Sequence, residues 1–250
     1  MKLCYLDAFS GISGDMTVGA LIDAGADAAA LTATLSSLGT EARYRVEKTK
    51  RKGIAASKFI VEWTDAKKHR HLHHILEMIE KSALPEGAKR RATEVFHALA
   101  RAEASVHGST IEKVHFHEVG AVDSIADICG AALGFEMLGV DAIVTSPVNV
   151  GSGTVKTEHG ILPVPAPATA ALLTGKPVYS RGPALELTTP TGAAIASALS
   201  REFGTMPAMS ISSAGYGAGD RDFPDHANVL RVLIGEASGA AEATEVAVIE

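Results

Sequence analysis

Residues 114–130, VHFHEVGAVDSIADICG, predict a short strand, a turn and the start of a helix, and the other segments are read outward from them. Strand side chains alternate between two faces, so an extended backbone sends His115 and His117 to the same face. Asp123 and Asp127 are four residues apart at the start of the predicted helix, and that spacing places both on one helix face. Two imidazoles and two carboxylates can therefore converge across one turn.

This stretch has two interpretations, which the spacing alone leaves open. In the structural one, Asp123 caps the helix, Asp127 is solvated and the histidines lie on the surface, because helix starts favour Asp in any case. In the functional one, His115, His117, Asp123 and Asp127 bind a divalent metal ion, and His117 or the nearby Glu118 acts as an acid–base group.

The composition is that of an ordinary globular protein. The chain has 250 residues, 46% of them hydrophobic and 5% aromatic, with a net charge of -6, so it lacks the basic surface typical of nucleic-acid binding. No apolar run approaches the roughly 18 residues that span a bilayer, and the first residues do not form a signal pattern. We therefore expect a cytoplasmic protein that binds neither nucleic acid nor membrane. Cys4 and Cys129 lie in apolar segments, as buried free thiols do.

The N-terminal segment predicts a strand at 2–6, a glycine loop and a helix at 16–24. Glycines permit close backbone approach, the serines can donate hydrogen bonds, and Asp15 is placed to cap the helix, so a phosphate could lie at this helix N-terminus. The candidate cofactor-binding residues are Ser10, Gly11, Ser13, Gly14 and Asp15. The loop matches neither GxGxxG nor the Walker motif, and an ordinary tight turn remains open. Asp7, at the end of the strand, is a candidate ligand or acid–base group, and a structural role is the alternative.

A second histidine-rich segment precedes a helix predicted to reach about Lys81. On that helix the histidines flank a buried apolar stripe in pairs three or four residues apart, a spacing at which they could collect nickel or zinc. The residues concerned are His69, His71, His73 and His74. An exposed helix start with incidental metal affinity is the alternative.

The remaining patterns predict a mixed α/β (α+β) fold, with helices packed on a largely mixed sheet and a second half rich in strands and glycine loops. Helices are expected at 28–38, 88–107 and 128–138, and a hairpin turns near Lys52 and Gly53. Thr191 and Gly192 begin a further helix that could hold an anion. We expect one domain over 1–235, with a subdomain boundary near 142, or two domains divided there.

Several long runs occur in the order found in one family: MKLCYLDAFSGISGDM, HRHL, VHFHEVGAVDSIADI, SPVNVGSGTVKTEHGILPVPAPAT, LTTPTGAAI and AGYGAGDRDFPDHANVLRV. Over residues 2–235 the chain resembles the nickel insertion proteins of the nickel-pincer nucleotide cofactor system, the LarC family. The resemblance implies a CTP-dependent cyclometallase that inserts nickel into pyridinium-3,5-bisthiocarboxylic acid mononucleotide. The product serves lactate racemase and related enzymes.

Members of that family continue into a C-terminal domain, with which the family associates CTP binding. The resemblance therefore implies that 236–250 is a linker towards such a domain, which would bind CTP with a divalent cation. The implied partners are the pyridinium mononucleotide and proteins of the lactate racemase pathway, and we expect a homo-oligomer. Two other functions remain open, a non-catalytic nickel-binding module and a metal-dependent phosphohydrolase.

Overall fold

The computed structural model describes residues 1–63, 70–116, 121–157 and 159–238, except for the side chain of His115. The helices are α1 (Gly14–Asp23), α2 (Ala28–Leu35), α3 (Leu72–Lys81), α4 (Glu86–Val106), α5 (Val122–Met137), α6 (Pro167–Leu172) and α7 (Pro190–Leu199). The strands before residue 140 are β1 (Lys2–Asp7), β2 (Arg43–Arg51), β3 (Ile54–Glu62), β4 (Arg70–His71) and β5 (His115–Phe116). Those after it are β6 (Ala142–Thr145), β7 (Val148–Asn149), β8 (Thr154–Thr157), β9 (Gly160–Pro163), β10 (Val178–Tyr179), β11 (Ser200–Phe203), β12 (Met209–Ala218) and β13 (Val229–Ala237).

A seven-stranded mixed sheet organises the fold, in the order β11-β6-β1-β13-β12-β3-β2. β1 is parallel to β6 and antiparallel to β13, which is itself antiparallel to β12. The remaining strands form two-stranded ladders, β4 with β5, β7 with β10 and β8 with β9. The mixed α/β fold class predicted from the sequence is confirmed, and strands from before and after residue 142 share the large sheet.

The main core lies between one face of this sheet and the helices. Cys4 and Leu6 of β1 alternate with residues of the opposite face, and they join Val232 and Ile234 of β13 in a buried cluster with the helices. α4 contributes an apolar stripe at helical spacing, whereas α5 is buried almost all round, as its apolar sequence predicts. The polar start of α5 is therefore held on a rigid helix.

Helix α1 packs unusually close to β12, because glycines remove the side chains that would separate them. A Cβ atom on Gly217 would lie 1.7 Å from the carbonyl oxygen of Met16, and one on Gly215 would lie 2.1 Å from that of Ala20. This direct backbone contact fixes the height of α1 above the sheet, and with it the position of its N-terminal residues.

Most of the predicted elements are confirmed. The β2–β3 hairpin turns through Lys52 and Gly53, both with positive φ (49° and 82°), and the helices predicted at 88–107 and 128–138 correspond to α4 and α5. In the segment predicted as a helix at 28–38, α2 is followed by a 3-10 turn, Ser36–Leu38.

Two predictions at helix starts are wrong, the cap of α1 and the inclusion of His71 in the histidine-rich helix, and the alternative in which Asp123 caps α5 is ruled out. Ser13, rather than Asp15, caps α1, because its extended backbone lets its hydroxyl accept a hydrogen bond from Met16 N. Asp123 does not cap α5 either; Ala121 is the cap residue, and Asp123 lies in the first turn. His71 does not belong to the histidine-rich helix, because it pairs in β4 and α3 begins after it.

The close packing of α1 predicts that Gly217→Ala destabilises the fold. Its methyl group must displace backbone, and overpacking typically costs about 1–3 kcal/mol, so we expect a loss of about 3 kcal/mol in the free energy of unfolding in urea. Gly204→Ala is the matched control, because a Cβ atom there meets nothing within 4 Å. Equal midpoints for the two variants would contradict the close contact.

Candidate functional site

The N-termini of α1, α5 and α7 converge on one cavity of about 420 Å³. We call it the acidic cavity, and its polar lining includes Ser13, Asp15, Lys58, Asp123, Asp127 and Thr191. Helix N-termini carry unpaired N–H groups and a partial positive charge, so carboxylates placed there are stabilised. Two of the lining carboxylates lie in the first turns of these helices, Asp15 on α1 and Asp123 on α5, and Asp127 lies one turn further along α5.

Two glycines allow these helix starts to meet. A Cβ atom on Gly14 would lie 2.6 Å from Oδ2 of Asp127, so the carboxylate of α5 lies directly against the first residue of α1. A Cβ atom on Gly192 would lie 2.1 Å from the carbonyl oxygen of Ile12, which accepts a hydrogen bond from Thr189 N at 3.1 Å. The loop before α1 is therefore clamped between α5 and α7.

Asp127 is the most perturbed carboxyl group of the cavity. Burial raises its pKa well above the usual range, and the charges of Asp15 and Asp123 raise it further, against the effect of the Asp15 backbone amide. Its Oδ1 atom is buried and accepts no hydrogen bond from any group that the structure describes. An unsatisfied carboxylate oxygen beside a polar cavity is an available ligand for a cation.

The neighbouring carboxylates are perturbed in the same direction. Burial raises the pKa of Asp15, although the Ser13 hydroxyl and the Lys58 ammonium group oppose it. Burial also raises the pKa of Asp123, whose Oδ1 accepts a hydrogen bond from Ser124 N at 2.8 Å. Three carboxyl groups that all disfavour ionisation form a site whose charge a cation would stabilise.

Lys58 of β3 supplies positive charge within the acidic cavity. Its side chain is 16% exposed, and its Nζ lies 3.7 Å from Oδ2 of Asp15 and also pairs with Asp220. The ammonium group therefore compensates part of the charge of the carboxylates that surround the cavity.

A second cavity, of about 340 Å³, adjoins the acidic cavity and shares Ser13, Asp15, Glu186, Thr189 and Asp220 with it. We call it the adjoining cavity. Its lining adds the cationic side chains of Lys156 and Arg221. The two cavities together place carboxylates and basic groups side by side, an arrangement suited to a metal ion and an anionic ligand.

The two histidine-rich segments meet in a small antiparallel ladder, in which His71 of β4 lies directly opposite His115 of β5. The rings of His71 and His73 have centroids 5.5 Å apart, and those of His73 and His74 are 3.9 Å apart. Within the described residues, however, no three His, Cys, Asp or Glu side chains are arranged to hold one metal ion.

Other predicted site residues are distributed as follows. His69, His117 and Glu118 lie outside the described residues, as does the end of the predicted linker, 239–250. Asp7 forms an ion pair with Arg231, whose Nε donates a hydrogen bond to Oδ2 of Asp7 at 3.0 Å. Asp7 is not among the lining residues of the acidic cavity.

The predicted glycine loop divides into two parts. Ser13, Gly14 and Asp15 line the acidic cavity, whereas the buried Ser10 hydrogen-bonds to His226 at 2.7 Å. Gly11 has a φ of 80° and packs against the backbone of Leu187.

At the second predicted anion site, Thr191 lines the acidic cavity and Gly192 is the glycine that packs against Ile12. Sequence reasoning did not identify Lys58 or Glu186 as site residues. A single lysine within the largely apolar run IAASKFIV was the available signal for Lys58.

The sequence model of the nickel insertion protein family matches residues 4–250. The chain belongs to this family. A Geobacter metallireducens protein, provisionally named a nickel insertion protein, is 50% identical over 100% of this chain and 65% of its own length. Proteins of Geobacillus kaustophilus and Desulfitobacterium hafniense, both named pyridinium-3,5-bisthiocarboxylic acid mononucleotide nickel insertion proteins, are 48% and 49% identical over 94% of this chain.

These family members are longer than the chain. The match covers 60% of the Geobacillus protein and 59% of the Desulfitobacterium protein, so the chain spans less than two thirds of the relatives' length. No solved structure matches it. Among the described residues, every helix is too short or too polar to cross a membrane.

The raised pKa of Asp127 predicts a pH dependence that Asp127→Asn removes. A carboxyl group whose pKa in the folded protein is higher than its ordinary value of 3.8 binds more protons when folded, so the free energy of unfolding falls as the pH rises from about that value through the folded pKa. The asparagine variant should gain stability relative to wild type between pH 4 and pH 7.5, by on the order of 1 kcal/mol. Urea denaturation in the presence of a chelator measures this difference. A difference in the free energy of unfolding between the variant and wild type that does not change with pH would contradict the burial of the Asp127 charge.

Proposed function

We propose that this chain takes part in inserting nickel into pyridinium-3,5-bisthiocarboxylic acid mononucleotide, as the names of its relatives indicate for those proteins. The observation that carries the proposal is the acidic cavity, where the pKa values of three carboxyl groups are raised and the buried Oδ1 of one of them, Asp127, accepts no hydrogen bond from the described residues. Family membership supplies the identity of the metal, and the cavity supplies a place where it could bind.

In this proposal Asp127, together with Asp15 or Asp123, presents nickel as a substrate rather than holding it permanently. Carboxylate oxygens bind nickel less firmly than thiolates do, which suits an ion that must be passed on. The described residues provide no complete set of metal ligands. The thiocarboxylate sulfurs of the mononucleotide would complete the coordination, so the ion would be bound best when substrate is present.

The adjoining cavity would accept the anionic part of that substrate. Lys156 and Arg221 line it, and guanidinium and ammonium groups are the side chains that bind phosphate. Its shared wall with the acidic cavity would bring the bound ligand next to the carboxylates. Metal and anion could therefore meet across Asp15 and Asp220.

Bonding of a ring carbon to nickel releases a proton, and the site needs a group to accept it. A carboxylate of the acidic cavity is suited to this role, because its raised pKa makes it a stronger base than an exposed carboxylate. His117 and Glu118 remain our other candidates for the acid–base group, and His115 and His117 remain candidate nickel ligands. Asp7 is a weaker candidate, since Arg231 engages its carboxylate.

The same proposal includes dependence on CTP and its divalent cation, membership of the lyase class and delivery of the product to lactate racemase. It also includes a cytoplasmic location and homo-oligomerisation. The segment beyond 235 would lead to the part of the protein that binds CTP. The described residues of this chain would then supply the nickel and mononucleotide sites.

A nickel-binding module without catalysis is the second candidate, and the clustered rings of His71, His73 and His74 favour it. Equilibrium dialysis against nickel separates the two. Binding lost on replacing these histidines but retained in Asp127→Asn would support the module.

Nickel transfer in the complete protein tests the proposal directly. We expect Asp127→Asn to lower the rate of formation of the nickel-containing mononucleotide, followed by mass spectrometry, at least roughly ten-fold, since even outer-shell partners of a metal typically have effects of that size. Asp222→Asn, an exposed aspartate of the loop before β13, is the matched control. Equal rates for the two variants would remove the acidic cavity from the proposal.

Lys58 provides a second test, because its ammonium group competes with an incoming cation for Asp15. Lys58→Met should tighten nickel binding to the substrate-free protein roughly ten-fold, as measured by calorimetry. The free energy of a ten-fold change is a modest part of the attraction expected between charges about 4 Å apart near a protein surface. Lys48→Met is the control, because Lys48 pairs with Asp23 at 2.6 Å outside the cavity. Weaker binding in Lys58→Met would show instead that the lysine organises the carboxylates.

A further inference from the structure

A small cavity of about 280 Å³ lies between the end of α4 and the β8–β9 hairpin. We call it the hairpin cavity, and its polar lining consists of Glu103, His107, Thr157 and His159. Apolar side chains, among them Leu162 of β9, line the rest of it. None of its polar residues lines the acidic cavity or the adjoining cavity, so its chemistry is separate from theirs.

Two histidines from distant parts of the chain meet at this cavity. His107 directly follows α4, and His159 lies in the turn between β8 and β9. Their ring centroids are 5.1 Å apart, and the ring planes are inclined at 49°. Two imidazoles that bind one ion at about 2.0–2.1 Å, with a tetrahedral angle between the bonds, have ring centroids about 5 Å apart. The two rings are therefore spaced as they would be around a shared metal ion.

A glutamate is placed to orient one of these rings. Nε2 of His107 lies 3.3 Å from Oε2 of Glu103, one turn earlier on α4, and the Glu103 side chain is only 15% exposed. Histidines that bind metals almost always donate their other ring N–H to a group of this kind, which fixes the orientation of the ring. A carboxylate on Nε2 of His107 leaves Nδ1 as the nitrogen that would bind an ion.

The site would hold an exchangeable ion. Among the described residues, no third His, Cys, Asp or Glu side chain completes a set of ligands around the two rings. Water would therefore occupy the remaining positions, as it does at metal sites with open coordination positions.

The hairpin that carries His159 is firmly held at its root. The buried Asn149 donates hydrogen bonds to the carbonyl oxygens of Phe9 at 2.9 Å and Arg181 at 2.8 Å, and its Oδ1 accepts one from Gly151 N at 3.2 Å. Beyond this root, β8 and β9 pair with each other and with no other strand that the structure describes. A two-stranded hairpin is only marginally stable in water, so a bond at its far end would stabilise it.

The same hairpin forms part of the wall of the adjoining cavity. Lys156 of β8 lines the adjoining cavity, whereas the next residue, Thr157, lines the hairpin cavity. Successive side chains of a strand point to opposite faces, so the hairpin stands between the two cavities. An ion that joined His159 to the end of α4 would therefore also hold Lys156 in place.

We propose that His107 and His159 bind a borderline divalent transition-metal ion that joins the β8–β9 hairpin to the end of α4. Nickel and zinc share the required chemistry, because both accept imidazole nitrogen as a ligand. At this site the ion acts as a structural clasp, and it is distinct from the nickel that the carboxylates of the acidic cavity would present. The clasp goes beyond the proposed function, which requires neither histidine.

Calorimetric titration of the metal-free protein with zinc, and separately with nickel, tests the site. His107→Gln and His159→Gln should each lower the number of ions bound per chain by one, and Glu103→Gln should weaken binding at this site roughly ten-fold. His97→Gln is the matched control, because His97 lies on the same helix and lines a different cavity. It should change neither the number of ions nor their affinity.

Hydrogen exchange tests whether the ion acts as a clasp. At a free metal concentration about ten times the dissociation constant, local opening of β8 and β9 should be about ten-fold rarer, because the ion binds the closed hairpin and not the open one. This slowing of exchange should occur in wild type and in His97→Gln, and it should be absent in His107→Gln.

The outcomes identify the ion and decide the proposal. Tighter binding of zinc would identify a zinc clasp, and tighter binding of nickel would identify a nickel clasp outside the acidic cavity. The proposal is overturned if both histidine variants bind as many ions as wild type, or if metal leaves the exchange of β8 and β9 unchanged. Asp127→Asn should retain this site, so failure of the nickel insertion proposal would leave the clasp intact and the reverse.

Discussion

Direct contact between the first turn of α1 and its neighbours is the constraint on which the rest of the structure depends. Gly14 leaves room for the carboxylate of Asp127, and Gly192 leaves room for the carbonyl group of Ile12. On its other side α1 rests on Gly215 and Gly217 of β12 without intervening side chains. Only this spacing lets three helix N-termini open into one cavity, because a methyl group at either helix start would separate them.

The electrostatics of the acidic cavity oppose folding at neutral pH and favour a cation. Burial raises the pKa of Asp15, Asp123 and Asp127. Ionising these groups therefore costs more free energy in the folded protein than in the unfolded chain. Lys58 and the helix N-termini offset part of this cost. A cation would offset more of it, and this is the physical basis of the nickel site that we propose.

Much of the fold follows from periodicity, but the membership of the site does not. The hairpin at Lys52 and Gly53, the amphipathic α4 and the buried α5 carry local signals that the structure confirms. The spacing of Asp123 and Asp127 also predicts correctly that they share a helix face, since both line the acidic cavity. Asp15 was misassigned as a cap, because sequence shows which residues can cap a helix but not which one adopts the extended backbone that capping requires.

The sequence by itself determined most of the helices and strands and showed that Asp123 and Asp127 share one helix face, because these features depend on residues close together in the chain. It also determined the family to which the chain belongs, because long runs of residues match that family. Only the tertiary structure decided that Asp15 and Lys58 lie beside these two aspartates in the acidic cavity. It also decided that Asn149 positions Phe9 and Arg181. Such contacts join residues 32 to 140 positions apart. Their geometry depends on how closely helices and strands pack, and no local pattern records that distance.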